Sequence, residues 1–260
     1  MHAHRRAARR LTGALALTLP ALLAACTADP PSPAPTGTVD PVPAEVDAAR
    51  DELAALAAAA QDRHLTATYT FEPADGAART VAVTSANDGT WRVDVPGWGQ
   101  GGTVDVSLAA NADGLFQCAL PSAGWAQQAG CVRLGDADDA VPRRLDPRVQ
   151  HPFTDWLEVL TDRRAPLAVS PAAPLPGVSA ECYSVESTSA SLNAPLDVGI
   201  YCYRPDGTPA AVRAAFGTLK LAGEPGAAPA TVQLAGPVTE GEPVSRDAPS
   251  PSDSPSTGTP

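Results

Sequence analysis

Apolar side chains at Leu65, Ala67, Tyr69 and Phe71 alternate with Thr66, Thr68 and Thr70, a period of two that predicts a strand with one buried face. The period continues at Val81 and Val83, at Trp91, Val93 and Val95, and at Val104, Val106 and Leu108. Asn87-Asp88-Gly89 and Asp113-Gly114 fall between runs, where tight turns belong, so this half reads as an antiparallel meander. Ahead of it, Ala44 to Asp62 lacks Gly and Pro, and Val46, Ala49, Leu53, Leu56 and Ala57 recur at helical spacing. A second helix is expected over His151 to Asp162, with Phe153, Trp156, Leu157 and Leu160 on one face and Pro152 in the first turn. Strands resume around 165–169, 179–186, 198–203, 210–213, 216–221 and 231–234, with Arg204-Pro205-Asp206-Gly207 as a turn between two of them. The pattern describes an α+β domain that is mainly β, over residues 44–236.

The ends read differently. Arg5, Arg6, Arg9 and Arg10 form a basic segment, and Leu11 to Leu23 an apolar one shorter than the roughly 20 residues a membrane span needs. Leu23-Ala24-Ala25-Cys26 follows directly, and this arrangement resembles the lipobox of bacterial lipoproteins. The resemblance implies that residues 1–25 are a signal peptide and that Cys26 becomes the diacylated N-terminus. Partnership with the cell membrane is then expected through that anchor, on the extracytoplasmic face. Residues 26–43, rich in Pro, Thr, Ser and Asp, are expected to be an extended tether at about 3.1 Å per residue. Residues 237–260 carry almost no large apolar side chain and are expected to be a disordered tail.

Charge narrows the partners. The chain has a formal charge of −11, and loss of the signal's arginines makes it about −15. Such a surface repels nucleic acid and anionic headgroups, so no nucleic-acid partner is expected. Lys220 is the only lysine; with the heavy use of Ala, Pro and Gly, this is the composition expected from a high-GC genome such as an actinobacterium's. Beyond Cys26 there remain Cys118, Cys131, Cys182 and Cys202, an even set that reads as two disulfides in an exported domain. Three connectivities are open; pairing of sequence neighbours, Cys118 with Cys131 and Cys182 with Cys202, is favoured because each closes a short loop between adjacent β-segments. No Cys-x-x-Cys unit occurs, and no metal or cofactor is expected.

Candidate chemistry is sparse. His151 and Asp155 are four apart and could share a helix face, but no Gly-x-Ser-x-Gly element supplies a nucleophile. Asp136-Ala137-Asp138-Asp139 lacks the Gly and the distal Glu of an EF-hand loop and reads as a solvated turn. An enzyme is not expected. Trp98, in Pro96-Gly97-Trp98-Gly99-Gln100-Gly101-Gly102, reads as part of a flexible loop and as a contact or lid residue. Trp91 and Trp156 are in phase with the core. Trp98, Trp91, Phe71 and Trp156 together are the aromatic set that could line an apolar ligand site.

The order helix, meander, central helix, further strands resembles the LolA/LolB-like and LprG/LppX-like envelope proteins, over about 44 to 234. Gly89-Thr90-Trp91-Arg92-Val93-Asp94 stands where that family has a strand with an aromatic and an Arg. Glu181-Cys182-Tyr183-Ser184-Val185 and Tyr201-Cys202-Tyr203-Arg204-Pro205-Asp206-Gly207 resemble a disulfide-linked strand pair of such lipoproteins. The resemblance implies a curved antiparallel sheet, a half-barrel covered by helices, with room between them for a lipid or acyl chain. The alternative reading is an adaptor or sensor that presents an acidic surface to another envelope protein. Here Ala and Val are common, and Ile200 is the only isoleucine, which implies a small or filled cavity.

Overall fold

The computed structural model describes residues 43–189 and 194–248, with side chains from Ala48 onward. Cys26, the signal segment, residues 26–42 of the tether and residues 249–260 of the tail lie outside the described residues.

Helix α1 (Pro43–Gln61) turns Ala49, Leu53 and Ala57 inward, each at most 1% exposed, as its apolar stripe predicts. Six strands follow: β1 (Leu65–Pro73), β2 (Arg79–Ser85), β3 (Trp91–Gly99), β4 (Val104–Asn111), β5 (Gly114–Leu120) and β6 (Gly130–Gly135). A crossing segment then carries two 3-10 turns (143–145 and 151–153) and helix α2 (Asp155–Thr161). A second meander comprises β7 (Leu167–Ala172), β8 (Glu181–Ser187), β9 (Gly199–Tyr203), β10 (Pro209–Ala214) and β11 (Gly217–Leu221), and β12 (Gly226–Ala227) pairs with the start of β1. The sheet has 12 strands in the order β6-β5-β4-β3-β2-β1-β11-β10-β9-β8-β7, antiparallel, curved and unclosed. The two meanders join where β11 pairs with β1, Tyr69 opposite Leu221 and Phe71 opposite Leu219.

Register fixes which side chains share the inner face, because alternate residues of a strand point the same way. Ala67, Val83, Val93, Leu108 and Gln117 stand opposite one another across β1 to β5. On the second meander Val212, Tyr201 and Tyr183 align in the same way. The inner face of that meander packs against α1 and α2: Leu53, Ala57, Trp156, Leu157 and Leu160 meet Tyr183, Tyr201, Tyr203 and Val212 in one core cluster. A second cluster lies on β1 to β4 around Tyr69, Phe71, Val81, Val95 and Val106.

Both disulfides form as favoured. Cys118–Cys131 and Cys182–Cys202 join residues directly opposite in register, with Cα separations of 3.9 and 4.0 Å, and fall on the outer face. Each staples a hairpin near one end of the sheet, one at β6 and one in the β8–β9 pair.

The structure departs from the sequence pattern at the second helix, at residues 231–234 and at residues 237–248, among other places. The second helix is shorter than expected: His151–Phe153 is a 3-10 turn, and Thr154 (φ −130°, ψ −117°) breaks it from α2 so that Phe153 turns toward Tyr69, ring centroids 4.8 Å apart. Residues 231–234 are not a strand; Val232 N–H donates to the Thr90 hydroxyl, and Arg92 donates to the Gln233 carbonyl. Residues 237–248, expected as tail, are ordered. Cys131 N–H donates to Pro237 O (2.9 Å) and Thr239 N–H donates to Cys131 O (2.8 Å), so this stretch runs beside the β6 edge. Val244 then exchanges two hydrogen bonds with the inward Gln117 side chain, 2.7 and 3.0 Å. The chain thus passes round β6 like a strap, satisfying an edge that otherwise offers open backbone groups. Its composition hides this, because backbone hydrogen bonds and one valine do the holding.

Candidate functional site

Two clefts open at opposite ends of the inner face. The first, of about 550 Å³, is walled by the ends of β1 and β3, the β10–β11 turn, the crossing segment and the strap. Phe71, Trp98 and Phe216 supply its aromatic surface, and Arg79, Arg148 and Arg246 its charge. The second, of about 460 Å³, holds Trp91, Phe153, His64 and His151 beside Asp138, Asp139, Asp155 and Glu158.

Trp98 enters the first cleft through an irregularity. Between the pairs Val95–Val106 and Gly99–Val104, β3 has two more residues than β4, and such a bulge re-aims side chains. The Gly-rich stretch is not a loose loop, correcting the sequence expectation. Arg79 Nη1 donates to the carbonyls of Pro96 and Gly97, and Gly97 N–H donates to Asp105. The strap binds the same stretch, with Gln100 N–H on Ser245 O (2.9 Å) and Gly101 N–H on Arg246 O (2.8 Å). Among the described residues, the non-glycine positions with positive φ are Gln100 (49°) and Arg148 (68°), both at this end of the domain. Left-handed backbone at such residues costs about 1–3 kcal/mol and persists only where the surroundings enforce it, a condition that clusters at ligand sites.

The crossing segment is pinned by His151. Its Nδ1 lies 2.6 Å from Asp155 and its Nε2 2.9 Å from Asp146, and its ring stacks on Trp156 with centroids 5.1 Å apart. Burial alone lowers the imidazole pKa; the hydrogen bonds and charges of Asp146 and Asp155 outweigh it and raise the value to about 9. Burial also works against the Asp146 carboxylate, yet its hydrogen bonds with His151, Gln150 and the Arg148 backbone hold its pKa below the usual range. Both ring nitrogens of His151 thus engage carboxylates, and the raised value keeps the ring protonated at neutral pH.

Of the four aromatic candidates, the structure brings Phe71 and Trp98 together in the first cleft and puts Trp91 in the second. Trp156 is a core residue, 2% exposed, against Tyr201 and Phe216. Beneath α1 and α2 the side chains of the second meander pack as one buried cluster, and a gap of about 50 Å³ beside Tyr69, Phe153 and Leu157 adjoins the second cleft. This gap is far below the roughly 300–1,000 Å³ of ligand pockets, a range that includes both clefts. Phe216 and the three arginines escaped the sequence reading; Arg246 sits in a segment read as tail, and Arg148 carries no local signal.

Asp136 and Asp139 close an exposed turn on each other and on Arg133. Among the described residues, no group of three or more His, Cys, Asp or Glu is placed to hold a metal ion, and no helix is long and apolar enough to cross a membrane. No protein-family model matches the sequence, and no curated protein is significantly similar to it.

Proposed function

We propose that this chain is an envelope lipoprotein, anchored to the extracytoplasmic face of the cell membrane through Cys26, whose domain binds an amphipathic ligand such as a lipid or fatty acid. The ligand's apolar part lies on Phe71, Trp98 and Phe216. The observation that carries the reading is the open cleft of about 550 Å³ in which Phe71, Trp98 and Phe216 lie beside three arginines, framed by two backbone-strained residues. An unclosed, curved antiparallel sheet with helices on its inner face also supports the resemblance to LolA/LprG/LppX-like proteins. In this reading the ligand sits at the rim of the half-barrel, because the space beneath α1 and α2 is occupied by side chains. The protein acts by binding and not as an enzyme, in keeping with a His151 committed to two carboxylates.

Native mass spectrometry of detergent-free protein, together with uptake of a fluorescent fatty acid, tests this. The reading expects uptake, and expects Trp98→Ala to weaken it at least about five-fold, since a buried aromatic is worth on the order of 1–3 kcal/mol. A ligand-free mass with no uptake overturns it. The packed cluster beneath α1 and α2 favours one second reading, an adaptor that contacts another envelope protein through its acidic surface. That reading expects no uptake and a single partner recovered by cross-linking in intact cells.

A further inference from the structure

We infer that the first cleft is an anion site, in which Arg246, Arg148 and Arg79 hold the carboxylate or phosphate end of the ligand whose apolar part rests on Phe71, Trp98 and Phe216. The inference rests on the binding function proposed above and specifies its chemistry.

Charge distribution is the first argument. Acidic residues outnumber basic ones, 29 to 18, yet three guanidinium groups from three separate elements converge on this cleft. Arg79 comes from the start of β2, Arg148 from the crossing segment and Arg246 from the strap. Two carboxylates, Asp146 and Asp75, share the wall. Asp146 is occupied by His151, Gln150 and the Arg148 backbone, and its side chain is 11% exposed. Asp75 stands exposed on the β1–β2 turn.

The second argument is how the cations are held. Arg79 keeps one nitrogen on the Pro96 and Gly97 carbonyls, which fixes its guanidinium against the backbone that precedes Trp98. Arg148 donates to Asp197 (2.7 Å) and lies 5.9 Å from the Trp156 ring centroid. Arg246 is different. Hydrogen bonds on its own carbonyl and that of Ser245 secure its backbone, while its exposed side chain makes no hydrogen bond or ion pair among the described residues. A cation fixed at its root and free at its tip, at the mouth of an aromatic cleft, suits an incoming anion; guanidinium groups pair with carboxylate and phosphate in a planar, two-pronged geometry. The strap's course round β6 thus has a consequence for the site, because it delivers this third arginine.

The test compares dodecanoate, dodecyl phosphate and dodecanol, below their micellar concentrations, by calorimetric titration of the mature chain. Both anions should bind at least about ten-fold more tightly than the alcohol. Arg246→Ala should cost the anions about five-fold or more and leave dodecanol unchanged, while Arg164→Ala, a surface arginine on another part of the domain, should change nothing. A preference for phosphate over carboxylate assigns a phospholipid-like headgroup, and the reverse assigns a fatty acid; either supports the inference. Dodecanol binding as tightly as the anions, or an equal loss for all three in Arg246→Ala, overturns it while leaving the proposed function standing. Binding of none of the three defeats both.

Discussion

Replacing His151 with Phe keeps a ring on Trp156 but removes the N–H groups donated to Asp146 and Asp155. In the folded protein the imidazole pKa stands at about 9 against 6.5 for the free group. A shift of that size corresponds to about 3 kcal/mol at 1.36 kcal/mol per pH unit, and the 60% exposure of the Asp155 side chain reduces it to on the order of 2–3 kcal/mol. Because the folded value is raised, this stability is fully present below about pH 6.5 and is lost as pH climbs through about 9. Asp197 and Arg148 also face the site and partly offset each other. The assay is urea unfolding with disulfides intact, at steps from pH 6 to pH 9.5. Wild type should lose on the order of 2–3 kcal/mol across that window. The variant should start lower at pH 6 and run flat. An equal slope in both proteins would refute the assignment of the pH dependence to His151.

Other expectations follow from single contacts. Removing either disulfide as a Cys→Ala pair should cost about 3 kcal/mol in the chain-entropy account, for closed loops of 13 and 20 residues, read as a lower denaturation midpoint. Gln117→Leu frees both Val244 hydrogen bonds, so amide exchange at residues 244–246 should accelerate while the sheet interior stays protected. Gly207 sits at φ 82°, and a Cβ there would come within 2.6 Å of the Ala59 backbone and side chain; Gly207→Ala should therefore destabilise by about 1–3 kcal/mol in the same unfolding assay.

What the sequence disclosed depended on one face being buried and the other wet. The alternation in β1 named Leu65, Ala67, Tyr69 and Phe71 as inward, and all four are buried. Strand β5 gave no such signal, since Leu115, Phe116, Gln117, Cys118 and Ala119 are buried on both faces and alternation vanishes. The α1 stripe was legible because helical spacing survives without context, whereas the break at Thr154 depends on Phe153 reaching Tyr69 across the fold. The strap escaped because polar composition measures side-chain burial and not backbone pairing to an edge. The cleft's arginines come from segments distant in the chain, and only the closure of β11 onto β1 and the strap's course assemble them. Trp98 was found by its odd setting, and the irregularity in β3 is what gives that setting a purpose.

The most direct measurement is a crystal structure of the mature chain grown with a medium-chain anionic amphiphile. The account expects its chain in contact with Trp98 and Phe216 and its head within hydrogen-bonding reach of Arg246. An amphiphile seated beneath α1 and α2 with Phe153 displaced, or a cleft left empty at saturating ligand, contradicts it.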